Sequence, residues 1–188
     1  MKTLIKHITN IQTGLFAKPS GSGNVVYLQS KHFDENGQLH AVLHPDLVAE
    51  GISEKHLLRD GDVIFAAKGY KNFAAVFENH NEPSVASTSF FVIRPTDQKV
   101  LSKYLVWFLN NHTTQTLLKG QAIGTSIPSI SKQVLENLEI TVPSIEIQKA
   151  ILKITKLRNK EKALKQELEL LRDRKINQQL LQAINYER

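Results

Sequence analysis

From Ser144 to the last residue, the chain contains neither glycine nor proline, the two residues that most often interrupt a helix. Ser144 is a suitable N-cap, and Glu146 suits the positive N-terminal end of a helix. These features predict a single helix from Ser144 to about Asn185, on the order of 60 Å long at 1.5 Å per residue. Because a helix in water needs packing partners, we expect it to bury an apolar face.

An apolar seam with a spacing of three or four residues follows one face of this predicted helix. Glu161 and Lys175 interrupt the seam, and the two would oppose each other if two copies of the helix packed antiparallel. The pattern is typical of a coiled coil with polar interruptions and predicts a homodimer formed through the helix. The expected dimer and partner contacts are Ile151, Ile154, Leu157, Leu164, Leu168 and Leu171.

Residues 1–142 have the shorter periods of a mixed domain. Segments rich in β-branched and aromatic residues predict strands at 24–30, 63–67, 73–77, 85–94 and 138–142, the fourth being the longest. Apolar spacing and capping residues predict short helices at 100–110, 114–119 and 131–137. Asn36-Gly37 and the turn around Gly61 predict chain reversals. The predicted class is α+β, with a globular domain at 1–142 and the long helix at 143–188.

Charge is distributed unevenly between these two regions. The chain carries a net charge of +6, yet residues 1–142 hold 13 Lys and Arg against 12 Asp and Glu, whereas residues 143–188 hold 11 against 6. The globular domain is therefore nearly neutral, which weakens any simple electrostatic argument for a polyanionic partner. The chain has no cysteine, no apolar run of transmembrane length and no signal-peptide core, so we expect a cytoplasmic protein.

Catalytic motifs were sought and are absent from the sequence. There is no phosphate-binding loop, no complete dinucleotide fingerprint, no Asp/Asn-Pro-Pro-Tyr motif and no Gly-x-Ser-x-Gly. His40 and His44 have a spacing that can bind zinc on a helix, but Pro45 argues against a helix there, so we interpret them as loop histidines. Asp60 and Asp62 are interpreted as turn residues. The sequence predicts no enzyme, no metal and no cofactor.

Two polar turns are candidates for contact with nucleic acid. Residues 68–72 place two cations, an aromatic ring and an amide at a hairpin tip, where such groups reach phosphates and base edges; a solvated turn explains them equally well. Residues 120–129 form a polar loop with two glycines whose backbone amides can approach phosphate, although a plain connecting loop explains this segment more simply.

The order of several segments resembles the specificity (S) subunits of type I restriction-modification systems. The segments are 61–66, 87–95, 104–110, 124–131 and 138–143, followed by the long helix. Glu146-Ile147-Gln148 stands where this family commonly has Leu-Glu-Gln, a small departure. No single motif is very specific, but their order together covers nearly the whole chain.

This resemblance implies a target recognition domain followed by a spacer helix. Family members usually contain two such units, each of which reads one half of an interrupted DNA site, while the paired helices dock the methyltransferase subunits. The chain resembles a half-length member, so the resemblance implies a homodimer that reads a palindromic interrupted site. Its implied partners are double-stranded DNA, the methyltransferase subunit and, in systems that have one, a restriction subunit.

The resemblance does not assign base-reading side chains, which we predict from the turns instead. At the hairpin tip these are Lys68, Tyr70, Lys71 and Asn72; elsewhere they are Lys31, His32, Lys18 and Ser20, with Lys119, Thr125 and Ser126 as further phosphate contacts. Two alternatives remain open at this point. One is a protein-interaction module with a globular head on a dimeric coiled coil, which the near-neutral head favours; the other is an enzyme of a class without these motifs.

Overall fold

The computed structural model describes residues 1–34, 37–39, 43–78, 82–124 and 126–186. The chain divides into two compact units, Met1–Gln148 and Lys149–Arg188. The first unit mixes strands and helices, and the second consists of most of one long helix. The predicted α+β class with a long C-terminal helix is therefore confirmed. Within the described residues, no helix is both long and apolar enough to cross a membrane.

The described residues form eight strands and four α-helices, with three short 3-10 helices at Ile5–His7, Ser30–His32 and Glu54–His56. The strands are β1 (Lys2–Leu4), β2 (Thr9–Thr13), β3 (Val26–Leu28), β4 (Val63–Ala66), β5 (Ala74–Val76), β6 (Ser84–Ala86), β7 (Phe90–Pro95) and β8 (Glu139–Thr141). The helices are α1 (Ser102–Asn110), α2 (His112–Gly120), α3 (Lys132–Glu136) and α4 (Ile145–Tyr186).

A four-stranded antiparallel sheet with the order β2-β7-β4-β5 lies at the centre of the first unit. Strand β4 is buried along its whole length because both of its faces are covered. Ile64 packs with Phe90 and Val92 in the main core cluster, while α1 contacts β4 and β5. Coverage on both faces explains why this strand has a continuous apolar run instead of alternating apolar and polar residues.

The prediction of one long strand at 85–94 is wrong. The chain forms β6, turns at 87–89, where the Phe90 amide donates to the Ser87 carbonyl (3.0 Å), and then forms β7. Strand β6 pairs in parallel with β3, whereas β7 joins the antiparallel sheet. The turn is Ser87-Thr88-Ser89, a short polar segment without glycine or proline between two buried strands, so composition alone does not reveal the break.

The turn before β4 depends on a glycine and on a buried ion pair. Gly61 has φ of +85°, a conformation that side chains disfavour. Asp62 is only 1% exposed, and its carboxylate accepts from Arg94 Nε (2.7 Å) and Nη2 (2.6 Å) and from the Arg59 amide (2.8 Å). The hydrogen bonds that Arg94 donates to Asp62 raise the pKa of the Arg94 guanidinium. Asp62 is a turn residue, as predicted, but it also joins β4 to β7.

The first turn of α4 is anchored by a buried glutamine. Gln148 is fully buried, and its Oε1 accepts from the Leu101 amide (3.0 Å). Its Nε2 donates to the carbonyls of Lys99 (2.7 Å) and Pro143 (2.9 Å). The side chain thereby satisfies three backbone groups at the start of α1 and at the end of β8. In the sequence, Gln148 stands out only as part of a segment that departs slightly from the family pattern, and its anchoring role was not predicted.

We expect Gln148→Ala to destabilise the first unit by about 1–3 kcal/mol, because it leaves buried backbone groups without partners. Urea denaturation followed by circular dichroism measures the change. Gln166→Ala, at an exposed position of α4, is the matched control and should change stability by less than about 0.5 kcal/mol. Equal effects of the two substitutions would contradict the anchoring role.

Candidate nucleic-acid interface

The segment that connects β4 and β5 is a closed hairpin tip. The Ala66 amide donates to the Phe73 carbonyl (2.8 Å), and Asn72 Nδ2 donates to the Ala66 carbonyl (2.9 Å). Phe73 packs against Phe33 and Phe90, with ring centroids 5.1 and 6.3 Å away. The tip is therefore fixed both by backbone pairing and by the aromatic core. The side-chain nitrogen Nδ2 of Asn72 already donates within the hairpin tip. Its side-chain oxygen Oδ1 accepts no hydrogen bond from the described residues and can therefore accept one from a base.

The hairpin tip is bonded to the loop that follows α2. The Gly69 amide donates to the Pro128 carbonyl (2.9 Å), and the Tyr70 hydroxyl donates to the Ser126 carbonyl (2.9 Å). The Ile130 amide donates to the Ala67 carbonyl (2.9 Å). The sequence analysis treated these turns separately, whereas the structure brings them together. We call residues 67–73 together with residues 123–124 and 126–130 the hairpin–loop unit.

Helix α1 supports the same hairpin from the other side. Asn110, at the last position of α1, accepts from the Ala74 amide and donates to the Ala74 carbonyl, both at 2.8 Å. Its amide thus pairs with β5 as a neighbouring strand would, and it fixes the edge of the sheet beside the hairpin tip. Sequence reasoning placed Asn110 only at the end of a helix, and the single signal available was its place in the family-like segment 104–110.

Two grooves adjoin the hairpin–loop unit. One, of about 330 Å³, is lined by Asp34, Tyr70, Lys71, Asn72, Phe73, Asn110, Gln115 and Lys119. The other, of about 460 Å³, is lined by Ser30, Phe33, Asp34, Ala66, Lys68, Gly69, Tyr70, Lys71 and Phe73. The structure therefore brings four predicted tip residues together with Lys119, which comes from α2.

Among the described residues that line the two grooves beside these cations, Asp34 is the single acid. Lys68, Lys71 and Lys119 are exposed, and none of them forms an ion pair with an acid in the described part of the chain. Segments 63–77 and 98–135 contain no Asp or Glu at all. Two acids elsewhere pair with other lysines, in the ion pairs Glu78–Lys103 and Glu136–Lys132. A nearly neutral domain thus presents a locally cationic surface.

The segment with Lys31 and His32 borders the same region. It is a 3-10 helix at Ser30–His32, and Ser30 lines the larger groove. Lys31 is exposed, whereas His32 is partly buried and its Nδ1 accepts from the Gln29 amide (3.1 Å). Lys31 is thus next in the chain to a residue that lines the larger groove but does not itself line it, while Nδ1 of His32 caps its own turn.

The predicted residues Lys18 and Ser20 are placed differently. Ser20 donates from its hydroxyl to the Ser22 carbonyl (2.6 Å) and from its amide to the Asp46 carbonyl (2.9 Å). Neither residue is among the described residues that line the two grooves. Thr125 lies outside the described residues, as do His40 and the centre of the Asn36-Gly37 turn. The described residues contain no group of three His, Cys, Asp or Glu side chains arranged to bind a metal.

The second unit presents its apolar seam to solvent. Ile154, Leu157, Leu164, Leu168 and Leu171 are between 47% and 60% exposed, and Ile151 is partly buried. Further along α4, Leu181 and Ile184 are 61% and 68% exposed. A helix with this much apolar side-chain surface in water is typical of one strand of a coiled coil.

The fold defines a class of protein with a mixed globular domain and a long helix that carries an exposed apolar seam. Residues 11–170 match the family model described as the type I restriction modification DNA specificity domain. The chain belongs to this family, whose members are DNA-recognition components and not enzymes. Among curated proteins, none matches the sequence significantly.

Solved structures show the same fold. The S subunit of the type I system from M. genitalium has a TM-score of 0.58 and 16% identity, covering 85% of this chain and 39% of its own. The HsdS subunit from Thermoanaerobacter tengcongensis has a TM-score of 0.62 and 17% identity, and the match covers 87% of this chain and 38% of that subunit. A third structure, described by the complex assembly and conformational transition of the type I R-M system, has a TM-score of 0.64 and 18% identity. That match covers 88% of this chain and 40% of the other. The chain thus spans about two fifths of the length of these proteins.

Proposed function

We propose that this chain recognises one half of an interrupted DNA site and directs a type I methyltransferase to it. The observation that carries the proposal is the cationic, acid-poor hairpin–loop unit, in a chain that belongs to the specificity family. Phosphate contacts from Lys68, Lys71 and Lys119 position the domain, while Tyr70, the carbonyl oxygen of Asn72 and Lys31 reach for base edges. The proposed partners are double-stranded DNA, the methyltransferase subunit and any restriction subunit. The proposed place of action is the cytoplasm, where these partners are found.

The proposed assembly is a homodimer formed through α4. The exposed seam supports this proposal, because pairing with a second seam removes its apolar side chains from water. Two identical recognition domains read identical half-sites, so the predicted target is palindromic and interrupted. We propose that the remaining faces of the paired helices dock the methyltransferase subunits.

Co-expression with a cognate methyltransferase subunit, followed by genome-wide mapping of methylated adenines, tests the function. Methylation at a palindromic interrupted motif is the expected result. An asymmetric motif would retain the recognition function but contradict identical half-sites. A stable complex that adds no methylation would contradict the DNA role and favour a protein-interaction module.

We expect removal of the tip cations to weaken DNA binding by the complex with methyltransferase. The double variant Lys68→Ala/Lys71→Ala should lower affinity roughly 10- to 50-fold near 0.15 M salt. The reason is that binding releases about one counterion fewer from the DNA for each phosphate contact that is lost. The slope of log affinity against log salt should become shallower by about 2. Fluorescence anisotropy with a duplex that carries the mapped site measures both quantities.

Lys103→Ala/Lys132→Ala is the matched control for this double variant. It removes the same charge, but these lysines already pair with Glu78 and Glu136. We expect its affinity to stay within about twofold of the parent. A fall as large as that of the tip variant would show an effect of net charge and would contradict a local interface.

A further inference from the structure

Three large apolar side chains on the hairpin–loop unit extend into solvent. Tyr70 is 74% exposed, Ile123 is 74% exposed and Ile127 is 65% exposed. Single exposed apolar residues are ordinary on protein surfaces, but these three share one small bonded unit. The sequence analysis assigned Tyr70 to DNA contact and gave no role to either isoleucine.

Hydrogen bonds hold the described residues of the loop that carries the isoleucines. Ile123 and Ser129 exchange two backbone hydrogen bonds, of 3.0 and 2.9 Å, which close the loop. Gly124 has φ of +114°, and a Cβ atom there would lie 2.7 Å from the Ile127 carbonyl oxygen. The bonds to Gly69 and Tyr70 fix the loop to the hairpin tip. A partner that contacts this surface would therefore bury both isoleucines without first having to order the described residues that carry them.

The charges around the loop indicate which partner. Lys68 and Lys71 adjoin it through the hairpin tip, and Lys119 lies in the groove beside Tyr70. Acids are absent from the whole segment 98–135. A duplex offers phosphates to the cations and apolar base faces to the isoleucines, which is the combination that minor-groove proteins use when they insert apolar wedges.

We propose that Ile123 and Ile127 form an apolar wedge that enters the DNA beside the recognised half-site and partly unstacks one base step. The proposal rests on the proposed DNA-recognition function and adds a shape-dependent contribution to it. Flexible pyrimidine–purine steps open most easily, so the wedge gives a preference at a position without a hydrogen-bonded base contact.

The test uses the complex with methyltransferase and duplexes in which 2-aminopurine replaces one base at successive steps of the half-site, away from the methylated adenine. Parent complex is expected to raise the fluorescence at one step at least threefold. Ile123→Ala/Ile127→Ala should abolish that rise and weaken binding about 10- to 100-fold. The preference at the opened step should be lost, while the rest of the methylation motif stays unchanged. Val48→Ala, at an apolar residue that is 55% exposed in another loop, is the control and should retain both signals.

Several results would overturn the wedge. If the double variant unstacks and binds DNA as the parent does, the wedge is wrong and DNA recognition stands. If it fails to copurify with the methyltransferase, the isoleucines contact protein and not DNA. If the parent complex binds duplex without any rise in fluorescence, no step is opened. A parent complex that binds no duplex contradicts the proposed function, and the wedge falls with it.

Discussion

Asp62→Ala is expected to destabilise the protein by about 3–5 kcal/mol, toward the lower figure because the Arg94 side chain is 25% exposed. The substitution removes the carboxylate that accepts two bonds from Arg94 and one from the Arg59 amide. It leaves a half-buried guanidinium without its counter-ion and a backbone amide without a partner. Urea denaturation monitored by circular dichroism measures the change in the free energy of unfolding.

Glu78→Ala is the control for Asp62→Ala, because Glu78 also pairs with a cation. The Glu78–Lys103 pair is 2.9 Å long, and its side chains are 63% and 67% exposed, so its loss should cost less than about 1 kcal/mol. The contrast between the two variants isolates burial as the cause. A cost below 1 kcal/mol for Asp62→Ala would refute the structural role of the pair.

Leu168→Glu is expected to weaken self-association by roughly 100-fold, or about 3 kcal/mol. Leu168 lies in the exposed seam, and an antiparallel or parallel dimer would enclose the new carboxylates in an apolar interface without partners. Sedimentation equilibrium at micromolar concentrations measures the dimer Kd. Circular dichroism should show that the first unit of the monomeric variant remains folded.

Leu170→Glu is a closely matched control for the seam variant. Leu170 is 59% exposed on the same helix. Because it is two residues from Leu168, it lies on the opposite side of the helix and faces away from the seam. The Leu170→Glu protein should remain dimeric. Equal dissociation by both variants would indicate a general loss of helix stability, and a monomeric parent protein would contradict the proposed homodimer.

The positions of the long helix and of most short elements could be predicted from local sequence. A segment without glycine or proline, with apolar residues at a spacing of three or four, produced the helix observed as α4. Ser131 was correctly predicted as an N-cap, and its hydroxyl accepts from the Val134 amide (3.2 Å). These signals are local because the relevant hydrogen bonds join residues a few positions apart.

The division of residues 85–94 between two sheets could not be predicted in this way. Strands β6 and β7 are both apolar, and the switch depends on their partners β3, β2 and β4, which are distant in sequence. Gln148 is a similar case. Its side chain bonds to one backbone amide, of Leu101, and to two backbone carbonyls, of Lys99 and Pro143. Only the folded chain places these groups around it.

The candidate interface shows the same division between local and tertiary information. The sequence by itself determined that residues 68–72 and 120–129 are turns with cations, glycines and exposed polar groups, since turn chemistry is local. Only the tertiary structure decided that Gly69 and Tyr70 bond to the second turn, that Lys119 joins them, and that Lys18 and Ser20 lie elsewhere. It also placed Lys68, Lys71 and Lys119 beside the same two grooves of a nearly neutral domain, because the hydrogen bonds that join the two turns link residues far apart in the chain.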